Sequence, residues 1–329
     1  MIIDINTKKS EGQVEQGSLK AWFLAARPKT LSGAAVPVML GCACAYHAQP
    51  SLFHTLPLLQ GRAGVGLSSL FHQPSSLITI LLCFLFAFVM QIDANFINDY
   101  YDCVRGRDNE ERLGPLRACQ QGWISLRQMR WGIIITTIIA CLVGLPLAYL
   151  GGYELILIGA ACVLFCFLYT TTLSALGLGD LLVLIFFGII PVYFTYYVLI
   201  HPATFSWSVL LTGIACGLVV DTLLLINNYR DIDNDRNSGK KTLTVFIGKE
   251  KTEWLYITLP TAALVMMLLV YGWTNMNIIF CFIPYFLFVQ SWSKMRQIGQ
   301  GRALNKVLGM TARNIFVYGL LISLLIILT

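Results

Sequence analysis

Nine apolar runs, each about as long as a bilayer is thick, constrain this chain more than any other feature. They lie near residues 21–46, 77–101, 129–150, 153–173, 180–200, 206–228, 254–273, 276–293 and 310–328. A helix needs roughly 20 predominantly apolar residues to cross the hydrocarbon core. Inside that core only segments that satisfy every backbone N–H and C=O among themselves persist. Hydrophobic residues make up 57% of the chain and charged ones 12%, whereas a soluble domain averages about 25% charged residues. The expected fold class is an all-α polytopic membrane protein, with about nine transmembrane helices in a bundle. Residues 1–20 read as a polar tail, without the pattern of a secretory signal, and 21–329 as a single transmembrane domain.

Basic residues support that count. In a nine-span arrangement every Lys and Arg except Arg62 falls on one face, which makes 22 of the 23. Lys and Arg near span ends are retained in the cytoplasm, so the amino terminus and the loops after spans two, six and eight are expected to be cytoplasmic. The expected location is the cytoplasmic (inner) membrane. The net charge of +6 is this bias, and no nucleic-acid partner is expected. All four histidines (His47, His54, His72 and His201) fall on the other face. The ten cysteines mostly interrupt apolar runs as small buried hydrophobes; only Cys103 and Cys119 lie in a polar segment.

Two stretches break the apolar pattern where spans two and six end: NFINDYYDCVRGRDNEERLGPLR (Asn95 to Arg117) and NNYRDIDNDRNSGKKTL (Asn227 to Leu243). A helical residue advances by about 100°, so Asn95, Asn98, Asp99 and Asp102 share one arc. Asn227, Asn228, Asp231 and Asp235 share another. Asp233 points elsewhere, as a solvated bystander. Asp93 lies opposite the first arc, where a structural hydrogen bond between helices is its expected role. Charge clusters of this kind are usually solvated helix ends; recurrence of Asn and Asp on one face in both stretches favours a site instead. Crowded carboxylates attract cations, and an oxygen-only donor set selects a hard ion such as Mg²⁺, which uses a few carboxylates plus substrate phosphates. Arg112, Arg117, Arg236, Lys240 and Lys241 stand beside the arcs as candidate donors to phosphate oxygens. The GKKT run is not a phosphate-binding loop of the strand–loop–helix kind, because it follows no strand and lacks Ser or Thr directly after Gly-Lys.

The paired patterns NxxNDxxD and NNxRDxxxD, together with ARPKTLSGAAVPVMLG, GPLRACQQGWIS and YTTTLSALGLGDL, resemble the UbiA-type intramembrane aromatic prenyltransferase superfamily, and most of all its dihydroxynaphthoate branch. The resemblance implies a nine-helix bundle around a central cavity, capped by two cytoplasmic loops. It implies Mg²⁺ held by Asn98 or Asp99, Asp102 and Asp108 in one cluster and by Asn227, Asp231 and Asp235 in the other; the first arc adds Asn95. It also implies a reaction: a polyprenyl group passes from polyprenyl diphosphate to a small aromatic carboxylate, 1,4-dihydroxy-2-naphthoate, with loss of carbon dioxide and diphosphate. Asp108 lies six residues beyond Asp102, where many members have four. Segment 48–75 is longer than expected of the first outer loop.

The acceptor is expected near Arg27, Lys29, Tyr169 and Asp180, all at the same helix ends. Asp180 would orient a ring hydroxyl or take its proton. Asp221, inside span six on the side of Asn228, is a candidate because intramembrane acids are functional by default. Phe96 and Tyr169 are candidate walls against water. Rival readings are another aromatic acceptor, such as 4-hydroxybenzoate or homogentisate, and an ion-coupled transporter.

Overall fold

The computed structural model describes residues 14–51, 76–106, 113–272 and 276–329, with helices and no strands among them. The first expected span is broken. Leu19–Ala26 (α1) is a two-turn helix capped by the Ser18 hydroxyl, and Pro28–Ala48 (α2) begins only after Arg27. Arg27 adopts a left-handed conformation, φ 52° and ψ 68°. Pro28 is the cause: a proline ring disfavours the right-handed helical conformation in the residue before it, while proline itself fits the first position of a helix.

The remaining helices are Ser76–Val104 (α3), Leu126–Gly151 (α4), Glu154–Leu176 (α5), Gly179–Ile200 (α6), Trp207–Arg230 (α7), the short Ile232–Asn237 (α8) and Leu243–Ile247 (α9), Lys249–Tyr271 (α10), Ile279–Ile298 (α11) and Leu304–Leu328 (α12). Among the described residues, eight of these are long and apolar enough to cross a membrane: α2 to α7, α10 and α12. The other expected span is the 20-residue helix α11, set apart by its polar last turns from Gln290 to Arg296. Helix α3 has 29 residues, about 43 Å at 1.5 Å per residue, against a core of about 30 Å. Its surplus turns carry the first acidic stretch.

Helix α7 is central: 67% of its apolar stretch is buried, against 6% for α5. Small residues let α6 and α7 meet backbone to backbone. A Cβ on Gly188 would lie 2.5 Å from Gly217 Cα, and one on Gly217 would lie 2.6 Å from the Leu184 carbonyl oxygen. Gly188 sits in a five-residue π turn, Ile185–Ile189, and a second such turn, Tyr169–Leu173, lies near the end of α5. Close approach through glycine is the usual way helices associate in lipid, where no hydrophobic force drives them together. Asp93 has the role expected of it: it accepts hydrogen bonds from the Thr136 and Thr137 hydroxyls, the latter at 2.9 Å, and ties α3 to α4. Gly188→Ala is expected to force α6 from α7 and cost about 1–3 kcal/mol by overpacking, read as a lower midpoint of thermal unfolding in detergent.

Candidate active site

The polar end of α3 holds the polypeptide that follows it. Asp99, 1% exposed, accepts the backbone N–H groups of Ala118 (2.9 Å) and Cys119 (3.1 Å). One turn on, Asp102 accepts from Arg117 at 2.7 Å, with both side chains buried. Segment 113–125 is thereby folded back on α3. It ends at Ser125, whose hydroxyl accepts from Gln128 N–H while the Gln128 side chain accepts from Ser125 N–H, a reciprocal cap that starts α4.

The Asn95 amide faces the start of the chain instead. Its nitrogen donates to the Ala26 carbonyl (2.9 Å) and the Thr30 hydroxyl (3.0 Å), and its oxygen accepts from Gln91 at 3.4 Å. Asn95 therefore holds the α1–α2 elbow on which Arg27 sits. Asn98 is half-buried on the same helix. Phe96 packs edge-on against Trp22, ring centres 5.4 Å apart, beneath α1.

The second stretch does not continue as one straight helix. Helix α7 ends at Arg230, and Asp231 leaves helical geometry (φ −97°, ψ 10°) before α8 begins. Arg230 folds onto its neighbour: Nε and Nη2 meet the two Asp231 oxygens at 2.9 and 2.6 Å. Asp235, on α8, is buried and pairs with Lys240 at 3.3 Å. Asn227 and Asn228 are half-buried in the last turn of α7, while Arg236, Lys241 and Asp233 are exposed. The Lys241 backbone N–H donates to the Ala175 carbonyl at 3.0 Å, laying this loop against the end of α5.

The two stretches share one electrostatic neighbourhood. Burial pushes the Asp235 carboxyl above the usual carboxylate range, Lys240 draws it back, and the carboxylates of Asp231 and Asp102 push it up again. Asp102 belongs to α3 and Asp231 to the end of α7, so residues more than a hundred positions apart bear on one group. Deeper in the bundle, Tyr169 lies within electrostatic reach of Asp180, Asp221 and Asp102, and Asp221 within reach of Asp180. Asp221 is 6% exposed, and one oxygen each of Asp180 and Asp221 is buried with no hydrogen-bond partner. Buried polar atoms are nearly always paired, so the two unpartnered oxygens suit a polar ligand. Asp108, Arg112 and the Lys29 side chain lie outside the described residues.

Sequence reasoning counted Arg230 only as an orientation charge and passed over Asn305. Arg230 and Asp231 are sequence neighbours, and helical-face arguments address residues three or four apart. Asn305 sits in the first turn of α12, accepts from Arg230 Nη1 at 2.7 Å and donates to the Leu113 carbonyl at 2.9 Å. No local pattern marks it.

The donor chemistry fits Mg²⁺. Asp102, Asp231 and Asp235 offer oxygen donors, and Mg²⁺ takes one or two carboxylates plus substrate phosphates rather than an all-protein cage. Among the described residues no group of three or more acidic, His or Cys side chains is placed to hold a metal ion by itself.

An all-helical membrane bundle with paired acidic and basic groups gathered at one end defines the class: a polytopic membrane protein with a polar site at one end of its apolar body. The chain matches the model of the UbiA prenyltransferase family over residues 63–314. It is 35% identical over 256 residues to the 1,4-dihydroxy-2-naphthoate octaprenyltransferase of Haemophilus influenzae, 75% of each chain. Its fold superposes on a UbiA homologue from Aeropyrum pernix with TM-score 0.62 at 16% identity, covering 89% of this chain and 97% of that one. It also superposes on a UbiA homologue from Archaeoglobus fulgidus bound to DMAPP and Mg²⁺, with TM-score 0.56 at 15% identity, covering 92% and 98%. The chain belongs to the UbiA prenyltransferase family and is a prenyltransferase; the transporter reading is set aside.

Asp99→Ala is expected to free segment 113–125. Hydrogen bonds to a charged acceptor are worth about 1.5–3 kcal/mol, so amide exchange at Ala118 and Cys119 should quicken by at least tenfold in hydrogen–deuterium exchange.

Proposed function

We propose that this protein transfers a polyprenyl group from polyprenyl diphosphate to 1,4-dihydroxy-2-naphthoate, releasing carbon dioxide and diphosphate and leaving a demethylmenaquinol. The observation that carries this reading is the set of acid–base pairs at one end of the bundle, Asp102 with Arg117 and Asp235 with Lys240, with Asp102 and Asp231 in electrostatic reach of Asp235. The choice of acceptor is supported by the 35% identity to a naphthoate octaprenyltransferase. The active-site end faces the cytoplasm in this reading, on the strength of the Lys and Arg bias.

Asp102, Asp231 and Asp235 would hold Mg²⁺ with the diphosphate oxygens, and Asn98 and Asn227 stand in the adjoining turns as further oxygen donors. When bound, the ion supplies Lewis-acid stabilisation of the departing diphosphate. Arg117 and Lys240 already reach these carboxylates, and their donors serve the diphosphate oxygens as charge builds there. The exposed Arg236 and Lys241 add positive charge at the entrance. The carbon–oxygen bond to diphosphate breaks with its electron pair on oxygen, leaving an allylic cation. The Tyr169 ring shields that cation from water.

The naphthoate ring attacks through the carbon that bears its carboxylate, and the carboxylate leaves as carbon dioxide, its electron pair restoring the aromatic ring. Prenyl diphosphate and naphthoate become the prenyl-naphthalenediol, carbon dioxide and fully ionised diphosphate, which then takes one proton from water. Asp180 and Asp221 lie within electrostatic reach of each other inside the bundle. The unpartnered oxygens of that pair accept a ring hydroxyl. Arg27, presented by the elbow, would receive the acceptor's carboxylate.

Membranes supplied with labelled polyprenyl diphosphate and 1,4-dihydroxy-2-naphthoate should form prenyl-naphthol only with Mg²⁺, and chelation should stop turnover. Asp102→Ala and Asp231→Ala should each abolish it at unchanged protein level; activity retained in both would remove the ligand assignments. Preference for 4-hydroxybenzoate or homogentisate would overturn the acceptor. Asp180→Asn should raise KM for the naphthoate by about tenfold, the weight of a hydrogen bond to a charged group, while KM for the diphosphate substrate stays within twofold.

A further inference from the structure

A chain of hydrogen bonds joins the first polar loop to the second through a residue of neither. The Leu113 carbonyl, in the segment that follows α3, accepts from Asn305 Nδ2 at 2.9 Å. The Asn305 oxygen accepts from Arg230 Nη1 at 2.7 Å. Arg230 then spends Nε and Nη2 on the two oxygens of Asp231. Arg230 is 5% exposed, and a buried guanidinium is held firmly only when its fork is filled. Asn305 fills the remaining edge of that fork. It also stands at the start of α12, whose first residue, Leu304, is fully buried. The amide is thus anchored to the bundle and not to either loop.

We propose that Asn305 is a positioning residue that fixes the Asp231 carboxylate, through Arg230, relative to the first loop, and so sets the distance between the two halves of the diphosphate site. An amide is the side chain suited to this place. Its oxygen takes the cationic fork and its nitrogen supplies the carbonyl, whereas a carboxylate offers the first contact without the second. The inference rests on Asp231 serving the diphosphate site, and it adds that α12 takes part in that site without touching substrate.

Two variants separate the contacts. Asn305→Asp keeps an acceptor for Arg230 and leaves the Leu113 carbonyl unpartnered; Asn305→Leu removes both. The half-buried Cys119, in the first loop, reports on that loop when the full chain in detergent is labelled with a maleimide and read by mass spectrometry. Without Mg²⁺ or substrate, both variants should label Cys119 at least threefold faster than the parent, while Cys103, on α3 itself, keeps its rate. With Mg²⁺ present, the farnesyl diphosphate concentration that half-protects Cys119 should rise by about tenfold, the weight of one hydrogen bond to a charged group. KM for the aromatic acceptor should stay within twofold.

Unchanged labelling in both variants would overturn the link to the first loop. Faster labelling with unchanged protection would overturn the positioning of Asp231. A parallel rise in acceptor KM, or faster labelling of Cys103 as well, would mark general loosening and overturn the proposal. Protection needs no turnover, so an enzyme that protects Cys119 with farnesyl diphosphate yet ignores the naphthoate would sink the acceptor assignment and leave this inference standing.

Discussion

Buried charge must be answered by buried charge, and at the polar end of this bundle that requirement shapes the whole architecture. An isolated carboxylate removed from water costs several kcal/mol, so Asp99 and Asp102 on α3, Asp231 after α7 and Asp235 on α8 are each met by a specific partner. Asp99 grips two backbone amides, Asp102 takes Arg117, Asp231 takes Arg230 and Asp235 takes Lys240. These pairs are also what folds the loops. Segment 113–125 returns to α3 because Asp99 and Arg117 bring it there, and the turn after α8 closes because Lys240 reaches Asp235.

The apolar body supplies rigidity beneath that end. Lipid gives helices no hydrophobic reason to associate, so contact comes from shape, as where Gly188 and Gly217 allow α6 and α7 to touch through their backbones. The π turns at Tyr169–Leu173 and Ile185–Ile189 lie on the two helices that flank Asp180. A π turn widens the helix by one residue and commonly marks a functional site. Here one of them begins at Tyr169, within electrostatic reach of Asp180 and Asp221. The membrane body and the polar end therefore meet near Asp180 and Asp221, each with one buried oxygen that lacks a hydrogen-bond partner.

Much of the site was legible because it obeys a helical period. Asp99 and Asp102 were placed together by the hundred-degree rule, and Asp93 was set apart from them as a tie between helices, which is how it packs against Thr136 and Thr137. The rule failed where the backbone left the helix. Asp231 caps α7 instead of continuing it, and the first apolar run bends at Arg27. The signal for the second break was present in the Arg-Pro pair, since proline restrains the residue before it. Asn95 shares the arc of Asp99, yet its amide turns to the elbow, because the Ala26 carbonyl and the Thr30 hydroxyl supply partners that no helical wheel contains. Asn305 had no signal at all.

The sequence by itself determined that this chain crosses a membrane many times and which helix ends carry the acidic groups. Hydrophobic length, charge bias and helical period are local quantities, written in runs of neighbouring residues. Tertiary structure alone decided which carboxylates bear on one another and which cation each one takes. Those choices depend on distances between residues dozens to hundreds of positions apart, from Leu113 to Asn305 and from Asp102 to Asp235, and such distances exist only once the helices have packed.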